Sequence, residues 1–161
     1  MKKKKEYFLS LTGFTLIELL IVIAIALIIA GAVVPHLDTS LTNKRLEIDA
    51  KKLASNISLA QQYAMGQKDG SRSYGIIFYE KGYRLIPYDS KGDPLSPVIV
   101  PSCVNANGDI PFSKGITLGD KENIIFNFKG SITNEVNVVL DAGDVSKTIT
   151  VAKLTGTVSI K

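Results

Sequence analysis

Glu18 is the side chain whose position demands a chemical explanation. It stands within residues 14–34, an apolar run with no other charge. An acid at the centre of a membrane helix costs roughly 2.5–3.5 kcal/mol on insertion scales. An anion there calls for a cation, because an unpaired charge in low dielectric costs several kcal/mol. Its local sequence is Gly13-Phe14-Thr15-Leu16-Ile17-Glu18. No other set of residues matches a reaction. The single histidine, His36, lies beside Pro35, poorly placed for acid–base work. The single cysteine, Cys103, excludes an internal disulfide and a Cys/His metal framework. It reads as a small side chain in a loop. Asp141 with Asp144, and Asp89 with Asp93, could offer oxygens to calcium, but Asx turns account for both pairs without a metal. P-loop, Rossmann, G-x-S-x-G and H-E-x-x-H patterns do not occur. The expectation is therefore no enzyme, no cofactor and no metal site.

The elements around Glu18 begin with a lysine-rich leader. Residues 1–13 hold four lysines and one glutamate, so most of the net charge of +4 sits there. The remainder of the chain has no concentrated basic face of the kind nonspecific nucleic-acid binding needs. Lys2, Lys3, Lys4 and Lys5 instead predict a cytoplasmic N-terminus, with the rest of the chain directed outward. Residues 14–34 are long enough for a transmembrane helix, which takes about 20 apolar residues. Gly31 and Pro35 close the run and predict a helix break, as a kink or local melting, because proline removes a backbone donor and clashes with the preceding turn. Asp38, Thr39 or Ser40 could cap a fresh start.

After Pro35 the period is helical. Leu46, Ala50, Leu53, Ile57, Ala60 and Ala64 recur at spacings of four and three, forming one apolar face. Lys44, Arg45, Glu47, Asp49, Lys51 and Lys52 fall mostly off it. The basic residues Lys44, Arg45, Lys51 and Lys52 could touch lipid headgroups or a partner, but read first as a solvated face. The helix is expected to stop within residues 66–70. Beyond Gly70 the period drops to two. Residues 74–79 and 83–88 predict a hairpin over residues 80–82. Residues 89–115 read as a long loop with a short strand at 98–100. Further strands are expected at 116–118, 123–128, 135–140, 147–152 and 157–160. The predicted fold class is α+β, a long helix on antiparallel sheet.

Three readings of the N-terminus follow. A plain single-pass anchor explains the apolar run but gives Glu18 no purpose. A secretory signal cut after Ala30-Gly31-Ala32 would release a protein starting at Val33, but the run is longer than such signals use and Glu18 interrupts it. The third reading is a resemblance. The lysine-rich leader, Gly13 and the series Phe14-Thr15-Leu16-Ile17-Glu18 ahead of an apolar helix resemble the prepilin-type signal of type IV pilins and type II secretion pseudopilins.

The resemblance implies a membrane peptidase that cuts between Gly13 and Phe14 and N-methylates Phe14. Residues 1–13 are then a cleaved leader, 14–34 a transmembrane and filament-core helix, and 35–161 an extracytoplasmic pilin-like domain. It implies that Glu18 pairs with the Phe14 amine, its own or a neighbour's, and so sets the register of a helical filament. The implied partners are the prepilin peptidase, other pilin-like subunits, an inner-membrane assembly platform with a separate ATPase, and membrane lipid. The later strands, with Gly130 and Thr155-Gly156-Thr157-Val158, are similar to the GspH/FimT minor pseudopilins. The alternative is a competence minor pilin that binds DNA. Some FimT-like proteins do so through an arginine-bearing C-terminal tail. This tail has no arginine, and only Lys147, Lys153 and Lys161 remain.

Overall fold

The computed structural model describes residues 14–66 and 72–161, with side chains given outside residues 32–39. The leader lysines, Gly13 and the expected helix stop at residues 67–70 lie outside the described residues. So do the side chains of Pro35 and His36. The chain divides into two units, Met1–Thr39 and Ser40–Lys161.

One helix, α1 (Leu16–Met65), carries the chain through both sequence patterns. Its backbone is helical through Gly31 and Pro35, so the capped restart at residues 38–40 is not used. In the first unit every described side chain from Phe14 to Gly31 is exposed.

The second unit has a core of its own. Among the described residues eight strands follow the helix: β1 (Ser73–Tyr79), β2 (Gly82–Tyr88), β3 (Ile110–Pro111), β4 (Thr117–Leu118), β5 (Ile124–Phe126), β6 (Val136–Ala142), β7 (Val145–Val151) and β8 (Val158–Ile160). They form two four-stranded antiparallel sheets, ordered β3-β2-β1-β5 and β4-β6-β7-β8. The expected α+β layout holds. The division into two sheets has no signature in the alternation of single strands, and it was not foreseen.

The predicted helix face is the face that packs. Leu46, Ala50, Leu53, Ile57, Ala60 and Ala64 are all buried. They join a cluster with Ile76, Leu85, Ile124 and Phe126 of the first sheet and Val138, Leu140, Ile149 and Val151 of the second. Burying each Leu or Ile contributes roughly 1.5–3 kcal/mol before entropy is counted. Three alanines in the stripe keep that face of the helix small.

Two details differ from the sequence reading. Residues 98–100 form no strand. Val98 donates one backbone bond to Leu85, at 2.9 Å, but Pro97 and Pro101 bracket the segment and cannot extend a ladder. A strand occurs at Ile110–Pro111 instead, short and at a sheet edge, where a proline is tolerated. All four edge strands, β3, β4, β5 and β8, have two or three residues.

Candidate functional site

The helix that contains Glu18 starts on a side-chain cap. The Glu18 backbone N–H donates to Thr15 Oγ1 at 3.3 Å, and the Leu19 N–H donates to the Thr15 carbonyl at 3.2 Å. Thr15 is thus the residue before the first helical position, and Glu18 is third inside. The pattern Thr-x-x-Glu is that of a capping box. The motif was legible in the sequence and its capping role was missed.

This geometry makes Glu18 useful before any neighbour is considered. Helix N-termini carry a partial positive charge from unsatisfied N–H groups, and a carboxylate in the first turn complements it. A cationic amine at Phe14 would sit at the same positive end, where a cation is disfavoured. Glu18 is the only acid in the first turn and the group able to offset both. Phe14 is 80% exposed, so the bond that precedes it leads to an open residue. Glycine 31 is also open: a Cβ added there would meet nothing within 4 Å.

From Leu16 to Ile29 the helix exposes one aliphatic side chain after another around its whole circumference. A helix that is hydrophobic all round belongs in protein or lipid rather than water. Among the described residues no helix is long and apolar enough to cross a membrane.

Among the described residues, no group of three or more His, Cys, Asp or Glu side chains is arranged to hold a metal ion. Asp89 has a positive assignment: its Oδ1 accepts from the N–H groups of Lys91 and Asp93, each at 2.9 Å, an Asx turn. Asp141 lies in β6, paired in register with Ser146, and Asp144 in the turn beyond it. Cys103 is half-buried; its thiol faces the Val98 carbonyl at 3.9 Å and receives the Val100 N–H at 3.4 Å. Lys147 lies in β7, Lys153 in the turn after it and Lys161 directly beyond β8.

What the second unit does carry is a set of polar anchors on the helix. Asp49, expected off the packed face, is buried. Its carboxylate accepts from the Ser113 N–H at 2.6 Å and from the Ser113 hydroxyl at 3.2 Å. Asn56 donates to the Tyr83 hydroxyl at 2.9 Å and to Ser102 Oγ at 3.3 Å. Burial pushes the Tyr83 hydroxyl well above the ordinary tyrosine range. The Gln61 amide donates to the carbonyls of Gly130, at 2.8 Å, and Thr155, at 2.7 Å. One amide thereby ties the turn after β5 to the turn before β8. Charge in sequence masked Asp49, and nothing in the local pattern marks Gln61.

These anchors hold loops against the helix. Residues 12–34 match the prokaryotic N-terminal methylation motif. The chain is also similar to the competence protein ComGD of Bacillus subtilis (strain 168), with 33% identity over 78 residues. The match covers 48% of this chain and 52% of that protein, so the chain spans about half the length of the curated relative it matches. No solved structure matches the chain. The motif and the relative bear out the resemblance to type IV pilin-like proteins, and the α+β fold is consistent with a pilin.

Proposed function

We propose that this chain is a minor pilin-like structural subunit. Its leader is cut between Gly13 and Phe14, Phe14 is N-methylated, and residues 14–34 anchor it in the cytoplasmic membrane until it enters a filament. The observation that carries this reading is the junction itself: a methylation motif whose Glu18 stands in the first turn of a helix capped by Thr15. The leader lysines keep the N-terminus cytoplasmic, and the second unit lies outside. In the bilayer Glu18 pairs with its own amine. In the filament it pairs with the amine of a neighbour and sets the axial register. Pro35 leaves one backbone acceptor without its donor and is where the helix yields during packing.

Support for the competence machine over a secretion pseudopilus or an adhesive pilus comes from the similarity to a competence protein. Direct DNA binding by this chain is the weaker form of that reading, because its tail offers lysines without arginine. A gel shift of the full-length protein in detergent across a salt series separates the two. Salt-sensitive binding supports a DNA-contacting subunit, and no binding supports a purely structural one.

The primary test is the intact mass and N-terminal sequence of the membrane-extracted protein, from cells with and without a prepilin peptidase. The expected start is methylated Phe14, only when the peptidase is present. A start at Val33 or an intact Met1 would end the filament reading.

A further inference from the structure

The helix of the second unit has a face the core does not use. Leu41, Lys44, Ile48 and Lys51 follow one another at spacings of three and four, opposite the buried stripe through Leu46, Leu53 and Ile57. Leu41 is 49% exposed and Ile48 62% exposed. Four cations, Lys44, Arg45, Lys51 and Lys52, surround these two side chains. Only one exposed acid accompanies them, Glu47, and Lys51 pairs with it at 2.6 Å. This face is apolar at its centre and basic at its margins.

The sheet side carries the opposite combination. Between β5 and the approach to β6 lies a groove of about 240 Å³, with Ile125, Ile132 and Val136 among its walls and Glu122 at its rim. Glu135 stands between two of its lining residues, Asn134 and Val136, and Asp120 precedes Glu122 by two. Lys121 is the one cation in the same stretches. Ile124 and Phe126 point into the core, so Ile125, between them on the strand, points away from the helix. The groove has room for one branched aliphatic side chain.

We propose that these two surfaces are partners, and that the apolar-basic helix face of one copy docks into the apolar-acidic β5–β6 groove of a second copy of this chain. The proposal rests on the pilin-like reading above and supplies a subunit contact for it. Ile48 enters the groove, and Lys44 and Arg45 meet Glu122 and Glu135. The two surfaces differ and face away from the shared core in opposite directions. Such a contact is heterologous: each docking leaves one free surface of each kind, to which a further pilin-like subunit can bind, rather than closing as a dimer. The charges select the partner and its orientation, while Ile48 supplies the buried apolar area.

The test uses full-length chains in membranes. Two differently tagged copies, one Ile48→Cys and one Ile125→Cys, both with Cys103→Ser, are made together and treated with a short bismaleimide. A product joining the two tags is expected, with no product joining two Ile48→Cys copies. Adding Lys44→Glu and Arg45→Glu to the first copy should lower the yield about tenfold, as loss of complementary charge does. Adding Glu122→Lys and Glu135→Lys to the second should restore it. An absent product, a yield indifferent to the charges, or attachment of the Ile48→Cys copy to a different protein would overturn the pairing. The N-terminal residue is read from the same sample. Failure to find methylated Phe14 counts against the pilin-like reading, and a missing cross-link in processed protein counts against the docking alone.

Discussion

The Cβ that Gly156 lacks would lie 2.3 Å from the carbonyl oxygen of Gly130. That same carbonyl accepts from Gln61. Both glycines have positive φ, +63° and +76°. Two turns from different sheets are therefore pressed together with no room for a side chain. Gly156→Ala is expected to cost about 2–4 kcal/mol, from the left-handed backbone and the overlap together. The urea midpoint should fall with its slope unchanged. An unchanged midpoint would mean that the turn moves aside freely.

Asp49 and Ser113 make a second prediction. Asp49→Ala removes the acceptor of a half-buried N–H and of a hydroxyl. The expected loss is about 1.5–3 kcal/mol, as for hydrogen bonds to a charged group. Hydrogen exchange at the Ser113 amide should accelerate more than exchange at Ile149, in a strand remote in sequence. Equal acceleration at both sites would show that Asp49 supports the whole core and not this loop.

Tyr83 predicts an alkaline limb. Its hydroxyl is raised from the ordinary value of 10.0, first by burial, with the bond from Asn56 acting in the opposite direction. A group raised in the folded state stabilises fully below its unfolded value and loses that contribution as pH rises above it. Stability should therefore decline above about pH 10 as unfolded tyrosine ionises. Tyr83→Phe should flatten that decline, at a cost near neutral pH of about 1 kcal/mol for the bond from Asn56. A variant with the same alkaline slope as the parent would place the titrating group elsewhere.

Glu18 and Thr15 can be separated. Glu18→Ala should still be cut after Gly13 and methylated, yet fail to enter filaments. Thr15→Ala removes only the cap, worth about 1 kcal/mol, and should be incorporated at close to normal levels. The measurement is the fraction of processed protein in sheared filaments. Normal incorporation of Glu18→Ala would remove the register argument.

Much of this was legible in the residues. The stripe Leu46, Ala50, Leu53, Ile57, Ala60 and Ala64 was read from its spacing and is the packed face, because burial of an amphipathic helix follows period alone. The hairpins were located through their turn residues, to within a residue or two at the ends. Asp49 was misjudged because a carboxylate in a helix is usually solvated; only the tertiary position of Ser113 gives it donors. Ile110–Pro111 was read as loop because proline argues against a strand, and its place at an edge is a tertiary fact. Glu18 was recognised as an unpaired acid, whereas its place in the first turn depended on where the helix begins. The pairing of Gln61 with carbonyls at positions 130 and 155 joins segments too far apart for any local pattern to link.

The brevity of the four edge strands has a consequence for how copies of this chain can meet. With two or three residues at each border, neither sheet offers a run of free backbone groups long enough to template another strand. Crowded copies are thus protected from fusing into a continuous cross-strand aggregate. Contacts between copies then fall to side chains on faces, and contacts of that kind can be undone. In the filament proposed above, contacts of that kind leave the subunits able to separate.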